Sequence, residues 1–173
     1  MISIITAIHR EAKPFIDRFG LKRDLSVKSF ELFRGEGISL IVSGIGKIRS
    51  AIATTYLLGH LPEPKLSSVF NIGVCGAKIE FGIGDLFLVN KITDNGTGKR
   101  YYSDLLIRHS LHEAGIETFD TPVDESEMSD PDFDLVDMEA SGFFEAASVF
   151  LPPSQIFCLK VVSDHLEVGS LSR

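Results

Sequence analysis

Cysteines, basic clusters and long apolar runs are scarce in this 173-residue chain, and each shortage excludes a class of protein. Its two cysteines, Cys75 and Cys158, both lie in apolar segments. They read as reduced, buried thiols in a cytoplasmic protein rather than as the staple of a secreted scaffold. A net charge of −7 without any cluster of Lys and Arg removes the electrostatic footing for nucleic acid. No apolar run approaches the ~20 residues that cross a bilayer, so no membrane partner is expected. The opening MISIITAIHREAK has neither a basic leader region nor a small-residue cleavage site, and reads as a first strand rather than a signal peptide. What remains, 44% hydrophobic and 24% charged residues, suits a folded chain, expected as one domain over residues 1–173.

Apolar, β-branched runs alternate with helical patterns along the chain. ISIITAI precedes a helix-like REAKPFIDRF, and SFELFRG and ISLIVSG predict a hairpin turning at Gly35 to Gly37. KIRSAIATTYLLGHL predicts an amphipathic helix with Ile48, Ala51, Ile52, Thr55, Leu58 and Gly59 on its apolar face, ending before Pro62. LSSVFNIGV and GDLFLVNKIT read as strands, DNGTGKRYYSD as a loop, and LLIRHSLHEAG as a short helix ending at Gly115. DTPVDESEMSDPDFD reads as an acidic loop and QIFCLKVVSD as a last strand. Strands apolar on both faces and interleaved with helices argue for an α/β fold, three-layered α/β/α around a mixed, twisted sheet.

Unusual residues gather where strands end. The exits carry His9, Arg10 and Glu11; Ser43, Gly44, Ile45 and Gly46; Val74, Cys75 and Gly76; and Ser163 and Asp164. In open α/β sheets ligands bind outside the carboxyl ends of strands, so parallel strands would bring these segments to one rim. A third acid arrives by another route. On a helix following LVDM, Ser141, Glu145 and Ser148 form a polar stripe, whereas Glu139 shares the opposite side with Gly142, Phe143, Ala146 and Phe150. Two readings of that inward carboxylate stand together: complement to the helix dipole, or ligand contact in a pocket at the helix start.

Familiar cofactor motifs do not fit. SGIGKIRS has Arg49 where a dinucleotide fingerprint needs a third glycine, and Ile41 where a phosphate-binding loop needs its first. Gly44 and Gly46 instead let backbone N–H groups approach an anion or a ribose, or simply make a tight turn. His109, His112 and Glu113 lack a further ligand at a suitable distance, so a solvated helix face is the better account and no metal is expected. His9 and His165 flank the rim as contacts or as packing residues, and Lys99, Arg100, Tyr101 and Tyr102 lie in a solvated loop or close over a ligand.

Taken together, SGIGKIRSA, NIGVCGA, GDLFLV, VDMEASGFFEAA and LKVVSD resemble, in order and spacing, the purine nucleoside phosphorylase and nucleosidase superfamily, nearest its 5'-methylthioadenosine/S-adenosylhomocysteine nucleosidase-like members. The resemblance implies a cofactor-free enzyme that cleaves the N-glycosidic bond of a purine nucleoside. Glu139 would hold the ribose hydroxyls, Met138 would pack on the sugar, and Asp164 with Ser163 would protonate N7 of the departing base. Glu11 would activate water. Val74, Cys75, Gly76, Ser43, Gly44 and Gly46 complete the implied substrate contacts. Phosphorylases of the superfamily commonly carry an arginine where this chain has Asn71, which favours water over phosphate as nucleophile. A phosphorylase and a weakly catalytic nucleoside-binding protein are the alternatives. The resemblance also implies a homo-oligomer, a dimer first, and a base-stacking aromatic for which Phe119 and Phe133 are candidates. The family's helix beyond the Ser-Asp pair is expected to be missing.

Overall fold

The computed structural model describes residues 1–124 and 133–166. Part of the acidic loop and everything after Leu166, including any place for a last helix, fall outside the described residues. Among the described residues ten strands, in one sheet, and three α-helices alternate: β1 (Ile2–Thr6), α1 (His9–Phe19), β2 (Lys22–Arg23), β3 (Glu31–Gly35), β4 (Ile38–Val42), α2 (Lys47–Gly59), β5 (Ser68–Ala77), β6 (Leu86–Asp94), β7 (Arg100–Tyr102), β8 (His112–Thr118), β9 (Leu135–Asp137), α3 (Ala140–Ser148) and β10 (Ile156–Asp164).

Strands β4, β1, β5 and β10 run mutually parallel, with the β3–β4 hairpin and β2 continuing past β4 at one edge. At the other end the sheet curls back on itself. β10 pairs β6, β6 pairs β8, β8 pairs β9 and β9 pairs β5, so these five strands close a ring. Alternation explains the three layers: Ile4 and Leu40 face α1 with Ala12, Leu21 and Phe33, while Ile5 and Ile41 face the opposite core with Ala53, Leu57 and Phe143. Helices α2 and α3 cross on that second face. There Gly142 lies against backbone, because a Cβ on it would stand 2.0 Å from the Lys47 carbonyl oxygen.

Four elements differ from the sequence reading, the first being DNGTGKRYYSD, read as a loop, in which Arg100–Tyr102 form β7 against β6. LLIRHSLHEAG is not a helix: its second half starts β8, with Ala114 to Thr118 buried between β6 and β9. Gly115, taken for a helix stop, sits where the β6–β8 register shifts, a usual place for a strand glycine. The buried face of α2 is Ser50, Ala53, Thr54, Leu57 and Leu58, whereas Ile48 and Ile52 are 70% and 55% exposed. Of the expected apolar face Leu58 is buried as read, but Ser50, Ala53 and Thr54 face inward with it where the helix packs closely, so apolarity alone misplaced most of the stripe. Ser141, assigned to the outer stripe of α3, is buried for the same reason of crossing geometry and donates to Asp94.

Candidate active site

The long strand β5 changes neighbour along its length. Ser68 to Asn71 pair with β1, and Gly76 and Ala77 pair with β9. Between these two partners the sheet opens, at the carboxyl ends of the parallel strands, and a cavity of about 290 Å³ occupies the gap. Ala7, Ile8 and Glu11 reach it from the exit of β1, Ile45 from the exit of β4, and Val74, Cys75 and Gly76 from β5. Asp137, Met138 and Glu139 reach it from the β9–α3 junction, and Ser163, Asp164 and Leu166 from the end of β10. Thr121, Pro122, Val123 and Val136 close it on the remaining side.

Each acid is held by donors that fix its direction. Glu11 Oε2 accepts from the N–H groups of Ala7 and Ile8 at 2.8 and 3.1 Å, the second being half of a capping box, and Oε1 accepts from Val74 N–H at 3.0 Å. The carboxylate therefore bridges the exit of β1 and the middle of β5. Glu139 precedes the first residue of α3 but makes no capping bond to its own helix. Its Oε1 accepts instead from Gly46 N–H, at 2.8 Å, at the start of α2. Asp164 Oδ2 accepts from Ser163 Oγ at 2.8 Å and Oδ1 from Leu166 N–H at 3.1 Å. A bulge makes this pair available: Val162 faces Cys75 and Asp164 faces Gly76, so Ser163 is the extra residue that turns the strand end toward the cavity. Gly76 allows it, since a Cβ there would meet Leu166 Cδ2 at 2.2 Å.

Electrostatics separates the lining groups. Burial, followed by the charge of Asp137, pushes the Glu139 carboxyl above its ordinary value, against the pull of Lys160 and of Gly46 N–H. Burial pushes the Cys75 thiol up to about 12, so it forms a neutral wall and no nucleophile. Four carboxylates, Glu11, Asp137, Glu139 and Asp164, line the cavity, and among the described residues no lysine or arginine does.

Ser43 and Gly44 stand apart from the cavity. Ser43 Oγ is spent on the carbonyls of Thr6 and Gly44, and the Arg49 side chain covers Gly44. Gly46 acts through its N–H alone. Phe119 packs with Val123, Val136 and Leu166 behind the cavity wall, and Phe133 is fully buried with its ring under Lys91 Nζ, so neither candidate base-stacking ring lines the site. His9 pairs with Glu31 and His165 bonds the Phe81 carbonyl. His109 pairs with Glu113 at 3.5 Å, and Lys99 and Tyr101 bind Glu145, tying the β6–β7 hairpin to α3. Sequence reasoning missed Asp137 and Lys160. Their side chains, each 1% exposed, form an ion pair of 2.8 Å. The signal was a lysine inside the otherwise apolar IFCLKVV, because a buried ammonium requires an acid partner.

The cavity lies at the carboxyl ends of the parallel strands, where β5 changes neighbour, and comparison places the fold. The chain belongs to the phosphorylase superfamily, whose family model matches residues 2–132. It is 33% identical over 97 residues to a 5'-methylthioadenosine/S-adenosylhomocysteine nucleosidase of Staphylococcus haemolyticus, a match covering 53% of this chain and 41% of that protein. The match thus spans about two fifths of the length of that curated relative. Among solved structures, a nucleosidase of the same name from S. pneumoniae, with the transition-state inhibitor MT-ImmA, superposes with a TM-score of 0.79 at 20% identity, covering 98% of this chain and 88% of that one. The apo 5'-methylthioadenosine nucleosidase of Arabidopsis thaliana gives 0.82 at 21% identity, covering 95% and 82%.

Proposed function

We infer that the protein hydrolyses the N-glycosidic bond of a purine nucleoside of the adenine type. The observation that carries this reading is the convergence of Glu11, Glu139 and Asp164 on one cavity that no lysine or arginine among the described residues lines. Breaking the bond builds a cationic, oxocarbenium-like sugar and a negative base. A carboxylate beside the sugar and an acid beside the base answer those two charges, and a third carboxylate takes the proton of the attacking water.

In this reading Glu139 accepts from the ribose hydroxyls, and Met138 packs on the sugar. Asp164, oriented by Ser163, shares a proton with N7. Glu11, fixed by three N–H groups, orients water on the opposite face of the sugar. Val123, Val136 and Leu166 supply an apolar wall for the base in place of an aromatic ring. Water is favoured over phosphate because a multiply charged anion would enter a cavity lined by four carboxylates. Self-association belongs to the same reading: Ile45 lines the cavity yet is 60% exposed, and Ile48 and Ile52 extend that apolar strip along α2.

The test is release of purine base from adenosine-type nucleosides, with and without phosphate. Free ribose or its 5'-substituted form, without added phosphate, is the expected product. A strict phosphate requirement with sugar 1-phosphate as product overturns hydrolysis in favour of phosphorolysis, and tight binding without turnover overturns both.

A further inference from the structure

Asp137 and Lys160 adjoin the cavity but have no part in the reaction just described. Taking two charges out of water is costly, and apolar residues of similar volume usually serve stability as well, so this ion pair calls for another explanation. Its remaining bonds supply one. Asp137 Oδ2, besides accepting from Lys160 Nζ at 2.8 Å, accepts from Ala140 N–H at 2.9 Å, the first residue of α3. Asp137 Oδ1 accepts from Thr118 Oγ1 at 2.8 Å, and that hydroxyl oxygen accepts from Ser141 N–H at 3.1 Å. The first two N–H groups of α3 are therefore met by Asp137, directly and through Thr118.

An acid at the position of Glu139 ordinarily folds back to cap its own helix. Here the capping is done from two residues upstream. Glu139 is left to cross to Gly46 and to face the cavity. That arrangement puts two carboxylates on one cavity under little water, and the Lys160 ammonium, 2.8 Å from Asp137, also opposes the rise of the Glu139 carboxyl.

We propose that Asp137 and Lys160 form a positioning pair for Glu139: Asp137 caps α3 in its place, and Lys160 keeps the Glu139 carboxylate charged beside the sugar. The charged and polar groups facing Glu139 are Asp137 from β9, Lys160 from β10, Glu11 from α1 and the Gly46 N–H before α2, and they act in opposing senses. Burial draws the Lys160 ammonium down, but the charges around it, Asp137 first and Glu139 among them, together with its hydrogen bond to Asp137, outweigh that pull, so Lys160 stays charged. Loss of Lys160 leaves Glu139 facing Asp137 and Glu11, both of which favour its protonation. A neutral Glu139 no longer stabilises a cationic sugar. This consequence for catalysis rests on the nucleosidase reading, whereas the charge relation does not.

The experiment compares Lys160→Met, Lys160→Arg and Asp137→Asn/Lys160→Met with the parent chain. The Glu139 carboxyl is followed by ¹³C titration, assigned by its absence in Glu139→Gln, alongside kcat and KM against pH. Lys160→Met is expected to move the Glu139 titration and the acid limb of kcat upward together, by about one pH unit. At the parent optimum kcat falls about 10-fold or more while KM changes less than about 3-fold. Lys160→Arg restores both. A Glu139 titration in Lys160→Met that superimposes on the parent's, or a failure of Arg to restore it, overturns the proposal. If Lys160→Met does not fold, the double variant, which leaves no unpaired charge at position 137, decides: a titration at or below the parent's supports the pair and one above it overturns it. Because the titration needs no substrate, a shifted titration in a chain that cleaves no nucleoside defeats the reaction reading and leaves the pair standing.

Discussion

Two clusters of acids meet α3, and they are built in opposite ways. Where α2 crosses α3, Asp94 is 4% exposed and saturated: Oδ2 accepts from Lys47 Nζ at 2.9 Å and Ser141 Oγ at 2.8 Å, while Oδ1 accepts from Thr97 N–H and Oγ1, each at 2.9 Å. Lys47 also reaches Asp120 at 3.1 Å. Burial alone would raise the Asp94 carboxyl, but Lys47, Ser141 and Thr97 together hold it below its ordinary value. Around the cavity, Glu11, Glu139 and Asp164 are held by N–H and hydroxyl dipoles, and no cation among the described residues forms an ion pair with them. Dipoles fix direction without cancelling charge. The acid that ties two helices together is neutralised on the spot, whereas the cavity acids are aimed by dipoles, as the proposed reaction requires.

The widest gap between the clusters is expected in turnover. Glu139→Gln and Asp164→Asn keep size and most hydrogen bonding, and are each expected to lower kcat by about 10²–10⁴-fold while circular dichroism stays that of the parent. Base release measured spectrophotometrically checks this. Near-parent rates in both variants erase the distinction between the clusters. At the crossing, the largest effect is on stability. Gly142→Ala places a methyl 2.0 Å from the Lys47 carbonyl oxygen and 2.6 Å from its carbon, and this contact is with backbone that cannot rotate away. A loss of about 3 kcal/mol in urea unfolding is expected. A parent-like midpoint would show that the helices part freely.

Lys47→Met sharpens the comparison further by removing the cation and leaving Asp94 buried. Lys47 is partly exposed, so the expected loss is about 2 kcal/mol rather than the larger cost of breaking a fully buried pair. The sign with pH follows from the depressed Asp94 carboxyl: its contribution is present above the ordinary carboxylate range and fades as pH falls through the lowered folded value. The difference in Tm between Lys47→Met and the parent therefore narrows on acidification. A difference that stays constant down to the acid transition assigns the loss to packing.

The same contrast explains what the sequence made legible. Acids at strand exits were readable because apolar, β-branched runs located β1, β4, β5 and β10, and parallel pairing then had to deliver Glu11 and Asp164 to one rim. Glu139 was readable from its inward phase on α3. The neutralised cluster was not: Ser141 looked like surface, and Asp94, which closes β6, was read as the first residue of the loop DNGTGKRYYSD. Nothing local reveals that a hydroxyl and a carboxylate 47 residues apart will be buried together. Lys160 and Asp137 were hidden similarly, since each is explained only by the other. β8 was misread because its partners β6 and β9 override a weak helical spacing in LLIRHSLHEAG.

The smallest expected effect is also the one that divides the two clusters by sign. Burial raises the Glu139 carboxyl above its ordinary 4.5, so the folded chain holds that proton more tightly than the unfolded chain does. Stability attached to this group is therefore greatest at low pH and is lost as pH rises from the ordinary value through the folded one. Glutamine at that position has no proton to lose and retains an oxygen for Gly46 N–H. Glu139→Gln is thus expected to raise Tm slightly at neutral pH, with the gain shrinking as pH falls toward the ordinary carboxylate range. Lys47→Met also removes one partly buried charge, yet it lowers Tm under the same conditions. A Glu139→Gln chain less stable than the parent at neutral pH would mean that this carboxylate, like Asp94, holds the fold together, and its inward aim would then need no reaction to explain it.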